Sequence, residues 1–263
     1  MGVDFMISIK FLGVAFFEIT TEKNVRLLVD PFVRGNPVCP IKVEDIADID
    51  LILVTHAASD HLGDAPEIAK NTGAKLICGR EVAAFAGRKG VPKHQMMVCC
   101  YGDLIEYSGI RVKCVKAEHV SATEIDGQYL SGQPCGFVIY TESDTGIYHA
   151  GDTAIFGDMR LIGQLYRPKI MLVGSGMWTQ STISASGHLS IPETALAAQW
   201  VSPEIMIPCH GVEMDIQKTD DLIKQVGVMA PWVKVVPLKP GESHYFEQED
   251  RSRHTLQKKI AEQ

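Results

Sequence analysis

The chain has 263 residues, 46% hydrophobic and 22% charged, the balance of a globular protein with material for one large domain or two small ones. Its formal charge of −7 argues against a surface that coats nucleic acid, which needs a basic face, and no apolar run approaches the roughly 18 residues of a membrane span. The N-terminus shows no basic stretch leading into a long apolar one, so no secretory signal is read there. Seven cysteines, mostly within apolar runs (Cys78, Cys99, Cys114, Cys209), fit reduced, buried thiols and a cytoplasmic setting.

Residues 7–19 and 25–29 predict strands, with TTEKN between them as a charged turn. LILV at 51–54 is continuously apolar, as expected of a strand covered on both faces. Residues 65–70 and 81–88 predict short helices on either side of a strand at KLIC. LIEYSGIRVKCVKA predicts a hairpin turning at Ser108-Gly109, and GFVIYTESDTGIYHAGD a second one with a polar tip. KIMLVG and EIMIPCHG predict apolar strands with polar residues at their C-terminal ends. Between them a helix starts near Ile191, where Ser190 and Glu193 have the spacing of a capping box and Pro192 sits in the first turn, where its missing N–H costs nothing. Strands dominate each half with helices interspersed. That predicts an α+β fold, two sheets packed together with helices outside, in one domain over residues 1–246. The mixed-charge stretch 247–263 predicts a solvated tail or terminal helix.

Four short pieces place metal-type side chains where apolar runs end: His56, Asp60 and His61 in THAASDH, His119 in KAEHVSA, Asp152 in HAGDT, and His210 in IPCHG. Any one alone reads as a hydrogen-bonded structural residue. Together, in this order, they predict a metal site at one edge of the sandwich, because neutral imidazoles and carboxylates suit zinc and similar first-row ions. His149 reads as a supporting or core residue, and Cys209 should point to the face opposite His210. Asp30 reads either as an acceptor for a site histidine or as a turn former. Gly151 and Gly211 flank site residues where a Cβ would obstruct a tight turn.

The stretches LLVDPF, THAASDHLGD, IYHAGDT followed by FGDMRLIG, IPCHG and LKPGES resemble the metallo-β-lactamase fold superfamily. Within it they resemble the short single-domain metal-dependent hydrolases allied to the L-ascorbate-6-phosphate lactonases. The resemblance spans most of the chain and implies a four-layer αββα sandwich with two adjacent metal sites that activate a water. It puts His56 and His119 on the first metal and Asp60, His61 and His210 on the second, with Asp152 bridging the two.

The chain departs from that pattern twice. Ala58 stands where the family motif has its middle histidine, and Gly13-Val14 where relatives carry Gly-His. Three readings of Ala58 are open: a dinuclear centre whose first ion is held by His56, His119 and Asp152 with an extra water; a mononuclear centre at the complete second site; or a non-catalytic metal- or ligand-binding protein on the same fold. His188, in ISASGHLSIPE, reads as a substitute ligand, a substrate contact or a proton donor to the leaving group, or else as a loop histidine that only caps. The Ser/Thr/Gly-rich stretch 174–187, with Trp178, reads as a substrate flap or an ordinary surface loop.

The expected function is hydrolysis of an ester, lactone, amide or phosphodiester of a small molecule by a metal-activated hydroxide. Asp60 and His188 are the expected catalytic side chains. The expected cofactor is Zn, one or two divalent ions, with Mn and Fe as alternatives. Nucleic-acid processing, which the same fold performs, is set aside by the acidity of the chain and the lack of room for a clamp domain. No nucleic-acid or membrane partner is expected, and a homo-oligomer is the default assembly.

Overall fold

The computed structural model describes residues 6–175, 187–211 and 215–247; most of the expected flap, with Trp178, and the tail from 248 lie outside them. The first sheet contains β1 (Met6–Gly13), β2 (Phe16–Thr20), β3 (Arg26–Val29), β4 (Leu51–Val54), β5 (Lys75–Cys78) and β6 (Met96–Val98). The second contains β7 (Leu104–Tyr107) and β8 (Ile110–Lys116); a separate two-stranded ribbon follows, β9 (Ser121–Ile125) and β10 (Gln128–Gly132). The second sheet then continues through β11 (Cys135–Tyr140), β12 (Gly146–His149), β13 (Ile170–Gly174), β14 (Ile205–Cys209) and β15 (Lys234–Val235), and β16 (Ser243–Glu247) returns to the first. The orders are β16-β1-β2-β3-β4-β5-β6 and β15-β14-β13-β12-β11-β8-β7.

Side-chain alternation builds the layers. From β4, Leu51 and Leu53 enter the space between the sheets while Ile52 and Val54 face outward under helices, which is why the whole run is apolar. On the second sheet Ile170 and Leu172 of β13 point inward while Met171 and Val173 point outward. The outer cluster on the first sheet is completed by residues of α1 (Ser59–Leu62), α2 (Ala65–Thr72) and α3 (Arg80–Arg88). That on the second is completed by α4 (Met159–Tyr166), α5 (Ile191–Val201) and α6 (Ile216–Met229). Three apolar layers separating four layers of structure make the αββα sandwich. At the start of α5 the Ser190 backbone N–H donates to Glu193 Oε2 at 2.8 Å, as the capping-box spacing predicts.

The sheet directions position the site. Strands β3 to β6 run parallel, as do β12 to β15. Strand C-terminal ends in such sheets open onto a shared crevice, where the following loops present side chains.

Candidate metal centre

Strand β4 leads into Thr55 and His56, and the single turn of α1 then carries Asp60 and His61. Asp30, just past β3, anchors this segment. Its Oδ1 accepts from the Thr55 backbone N–H at 2.8 Å, and its Oδ2 accepts from the Thr55 hydroxyl at 2.8 Å, His61 Nδ1 at 2.8 Å and His149 Nε2 at 3.0 Å. With the His61 proton fixed on Nδ1, its Nε2 is turned to the centre. Ser121 holds the next turn: its hydroxyl accepts from the Ala57 N–H at 3.0 Å and donates to Glu81.

The loop after β8 brings in His119, tied to the Asp152 loop by Glu118 N–H to Thr153 Oγ1 and Ala154 N–H to Glu118 O, both 2.9 Å. Gly151 reaches a φ of +62°, and a Cβ there would stand 3.0 Å from the Thr55 side chain. His210 follows β14 with a φ of 67°, its N–H donating at 2.8 Å to the carbonyl of Val14, itself at φ 60°. So the position that lacks the family histidine still fixes His210 through its backbone. His188 enters from before α5, beside a bridge pairing Ser175 with the buried Leu189. Gly187 leaves the space: a Cβ on it would lie 2.7 Å from His119 Nδ1.

Asp152 Oδ2 is the focus. It lies 3.1 Å from His61 Nε2, 3.3 Å from His210 Nε2, 3.7 Å from His119 Nε2 and 3.9 Å from His56 Nε2, and Oδ1 is 3.6 Å from His188 Nδ1. Asp60 Oδ2 stands 3.5 Å from His210 Nε2. Potential ligand atoms gather within 4.8 Å of one another in three overlapping groups: His56, His61 and Asp152; Asp60, His61 and His210; His119, Asp152 and His188. Every residue expected at the site is therefore brought to one place, and His188 joins them.

Electrostatics divides the histidines into two sets. Burial pushes His56 down to about 3 and His188 to about 4, and it lowers His119 as well, so these three are neutral and offer lone pairs. For His61 and His210 burial acts in the same direction but is outweighed. Asp152 and Asp30 raise His61 well above its usual value, while hydrogen bonds with Asp152 and Asp60 push His210 up to about 9. The carboxylates respond in kind: against the penalty of burial, His210 and His61 bring Asp60 to about 2, and His61 and His210 hold Asp152 far below the carboxylate range.

Divalent cations fit this set. His56 Nε2, Asp152 Oδ1 and His188 Nδ1 are buried with no hydrogen-bond partner, and His56 and His188 belong to two separate ligand groups that share Asp152. Buried polar atoms are rarely left unpaired, and cations bound beside Asp152 would satisfy them. Around Asp152, the two imidazoliums His61 and His210 offset only part of the charge of three carboxylates, Asp30, Asp60 and Asp152, a role a divalent metal ion would take over. The donors are imidazole nitrogen and carboxylate oxygen, the chemistry of Zn, Fe and Mn.

Two supporting groups, Asp30 and His149, are open to that reading from the sequence, and others carry no sequence signal. Asp30 and His149 act as one unit with His61, whereas Thr55, Ser121 and Glu81 sit in ordinary strand and helix contexts and are recognised only from their contacts. Cys209 lies in the layer between the sheets, on the face opposite His210, as alternation predicts.

Residues 25–211 match a family model described as "Beta-lactamase superfamily domain". A UPF0173 metal-dependent hydrolase from Methanosphaera stadtmanae is 37% identical over 248 residues, covering 90% of this chain and 98% of that protein. One from Pyrococcus abyssi is 40% identical over 244 residues, with 90% and 98% covered. Among solved structures, a novel metallo hydrolase from the hyperthermophilic archaeon Ignicoccus hospitalis superposes with a TM-score of 0.76 at 27% identity, over 93% of this chain and all of the other. With the αββα fold and the His/Asp cluster already in place, these likenesses settle the family: the chain belongs to the β-lactamase superfamily, among its UPF0173 metal-dependent hydrolases.

Proposed function

We propose that the chain hydrolyses an ester, lactone or phosphodiester bond of a small molecule at a centre of two divalent ions, zinc foremost, in which His188 fills the place left by Ala58. The observation that carries this reading is the position of His188. Its buried, unpartnered Nδ1 faces Asp152 Oδ1 at 3.6 Å, in one ligand-sized group with His119. One ion would be held by Asp60, His61, His210 and Asp152, the other by His56, His119, His188 and Asp152.

Such ions, when bound, lower the pKa of water toward neutrality and polarise the attacked carbonyl or phosphoryl oxygen. The rest falls to the protein. Asp30 fixes the His61 tautomer; Asp152 stands between the two histidine sets. Asp60 is the most exposed of these carboxylates at 37%, and it is anionic, so it can orient an incoming water by accepting its hydrogen bond. His188, neutral and buried, suits a ligand better than a proton donor.

No helix among the described residues is long and apolar enough to cross a membrane, and the net charge of −7 favours a small molecule over nucleic acid. We place the enzyme in the cytoplasm, as a homo-oligomer. The test is a screen of lactones, esters and phosphodiesters with protein reconstituted in Zn, Mn or Fe, beside Asp152→Asn. The reading expects turnover that Asp152→Asn abolishes while keeping the fold. No turnover in any metal form would favour the non-catalytic alternative.

A further inference from the structure

Away from the metal centre, three cysteines from three separate elements meet: Cys99 just past β6, Cys114 in β8 and Cys135 in β11. Their sulfurs lie within 4.8 Å of one another, and all three residues are buried between the two sheets. A sulfur pairing for packing alone would need no opening, yet this trio also lines a cavity of about 390 Å³. Arg80, Glu81 and the exposed Cys100 line the same cavity, and Arg80 is the sole cation among the lining residues.

We propose that Cys99, Cys114 and Cys135 form a second metal site, separate from the His/Asp centre, which takes a soft monovalent ion, Cu(I), in three-coordinate sulfur ligation. The inference is independent of the hydrolase reading. Three features argue for it. Thiolate sulfur selects soft ions over the hard or borderline ones that imidazole and carboxylate prefer. Structural zinc sites close with four ligands, whereas among the described residues only three ligand atoms gather here. The cavity supplies an entry path, with Arg80 to offset thiolate charge and Cys100 at hand to pass the ion inward.

One of the three thiols, Cys99, is also prepared for ligation. Hydrogen bonds from Cys114 and Cys135 lower the Cys99 thiol, while those two are raised in turn, so one thiolate is favoured over three. As the ion binds, each sulfur that ligates as thiolate releases its proton to solvent, and no oxidant or reductant is needed once copper is supplied as Cu(I). The site also touches the catalytic segment. Cys135 N–H donates to Thr55 O at 3.0 Å and its Sγ lies 3.4 Å from the same oxygen, one residue before His56.

The test uses the full chain, zinc-loaded so that the His/Asp centre is filled, titrated anaerobically with Cu(I) against a chromophoric Cu(I) chelator. Copper-edge X-ray absorption is recorded on the product. One Cu(I) per chain with sulfur neighbours is expected, with an affinity that falls in Cys99→Ser by more than the roughly 10–100-fold typical of losing a mere supporting partner. Cys100→Ser should retain the sulfur-bound ion. Copper with only nitrogen or oxygen neighbours, or equal affinity in a folded Cys99→Ser, would overturn the site. Zinc already bound by sulfur in the loaded protein would overturn the choice of a three-coordinate monovalent ion. If Cys99→Ser does not fold, the wild-type absorption spectrum alone decides.

Discussion

Replacing Asp30 by asparagine should weaken metal binding although Asp30 touches no metal. The carboxylate is fully buried, with one donor on Oδ1 and three on Oδ2. Asparagine keeps the acceptor for the Thr55 N–H but presents an NH₂ where Oδ2 was. The Thr55 hydroxyl can rotate to accept from it; the two imidazoles cannot keep their protons facing it. His149 can move its proton to Nδ1, which has no partner, leaving a buried unsatisfied donor at about 1–3 kcal/mol. His61 would have to carry its proton on Nε2, the atom 3.1 Å from Asp152 Oδ2, and a protonated nitrogen cannot ligate. We therefore expect a 10–100-fold loss of zinc affinity, the range for removing a group that orients a ligand histidine. A melting temperature lowered by the equivalent of ~1–3 kcal/mol should accompany it in metal-free protein. Alanine is the poorer choice: four buried donors without their acceptor would cost about 4–12 kcal/mol, comparable to the ~5–15 kcal/mol that holds a whole domain together. Competition against a chromophoric zinc chelator reads the affinity. Wild-type affinity in Asp30→Asn would refute the claim that this carboxylate sets the His61 tautomer.

Gly187→Ala should push His119 away, since the new Cβ meets Nδ1 at 2.7 Å and the φ of +67° costs an L-residue about 1–2 kcal/mol; metal analysis should show one ion lost and the other kept. Val14→Gly should leave the melting temperature unchanged or slightly raised, because relief of about 1–2 kcal/mol of left-handed strain offsets the ~0.5–1 kcal/mol of added chain entropy. A fall of several degrees would show that the Val14 side chain, not its backbone, holds His210. Metal binding should release protons, because His210 keeps its proton in metal-free protein until pH approaches about 9. His61, raised well above its usual value, gives up a proton as well, so apparent affinity should rise with pH at least up to about 9, and calorimetry in buffers of different ionisation enthalpy would register the released protons.

How much of this was legible in the sequence depends on burial. The parallel strands are buried on both faces, so LILV and KIMLVG announced themselves as uninterrupted apolar runs. The ribbon β9–β10 did not: β10 is exposed along nearly its whole length and has no apolar face to read. Helix α6 was equally silent, burying only Leu222 and Val226 over fourteen residues. At the site, His56, His119, Asp152 and His210 stood out because each lies just past an apolar run, and Asp60 and His61 because they share the piece that holds His56. The role of His188 did not, since the contact that decides it comes from a different layer. Thr55, Ser121 and Glu81 are common residue types in common settings, and only the folded chain shows that they hold the metal-binding turn.

The most direct test of the central claim, that His188 completes the site Ala58 leaves short, is metal content per chain by inductively coupled plasma mass spectrometry. It would compare wild type with His188→Ala, both purified without chelator and reconstituted with zinc. The account predicts about two zinc ions in the wild-type His/Asp centre and about one in the variant. Equal content in the two proteins would contradict the role of His188, and no bound metal in either, with Zn, Mn or Fe, would contradict the centre itself.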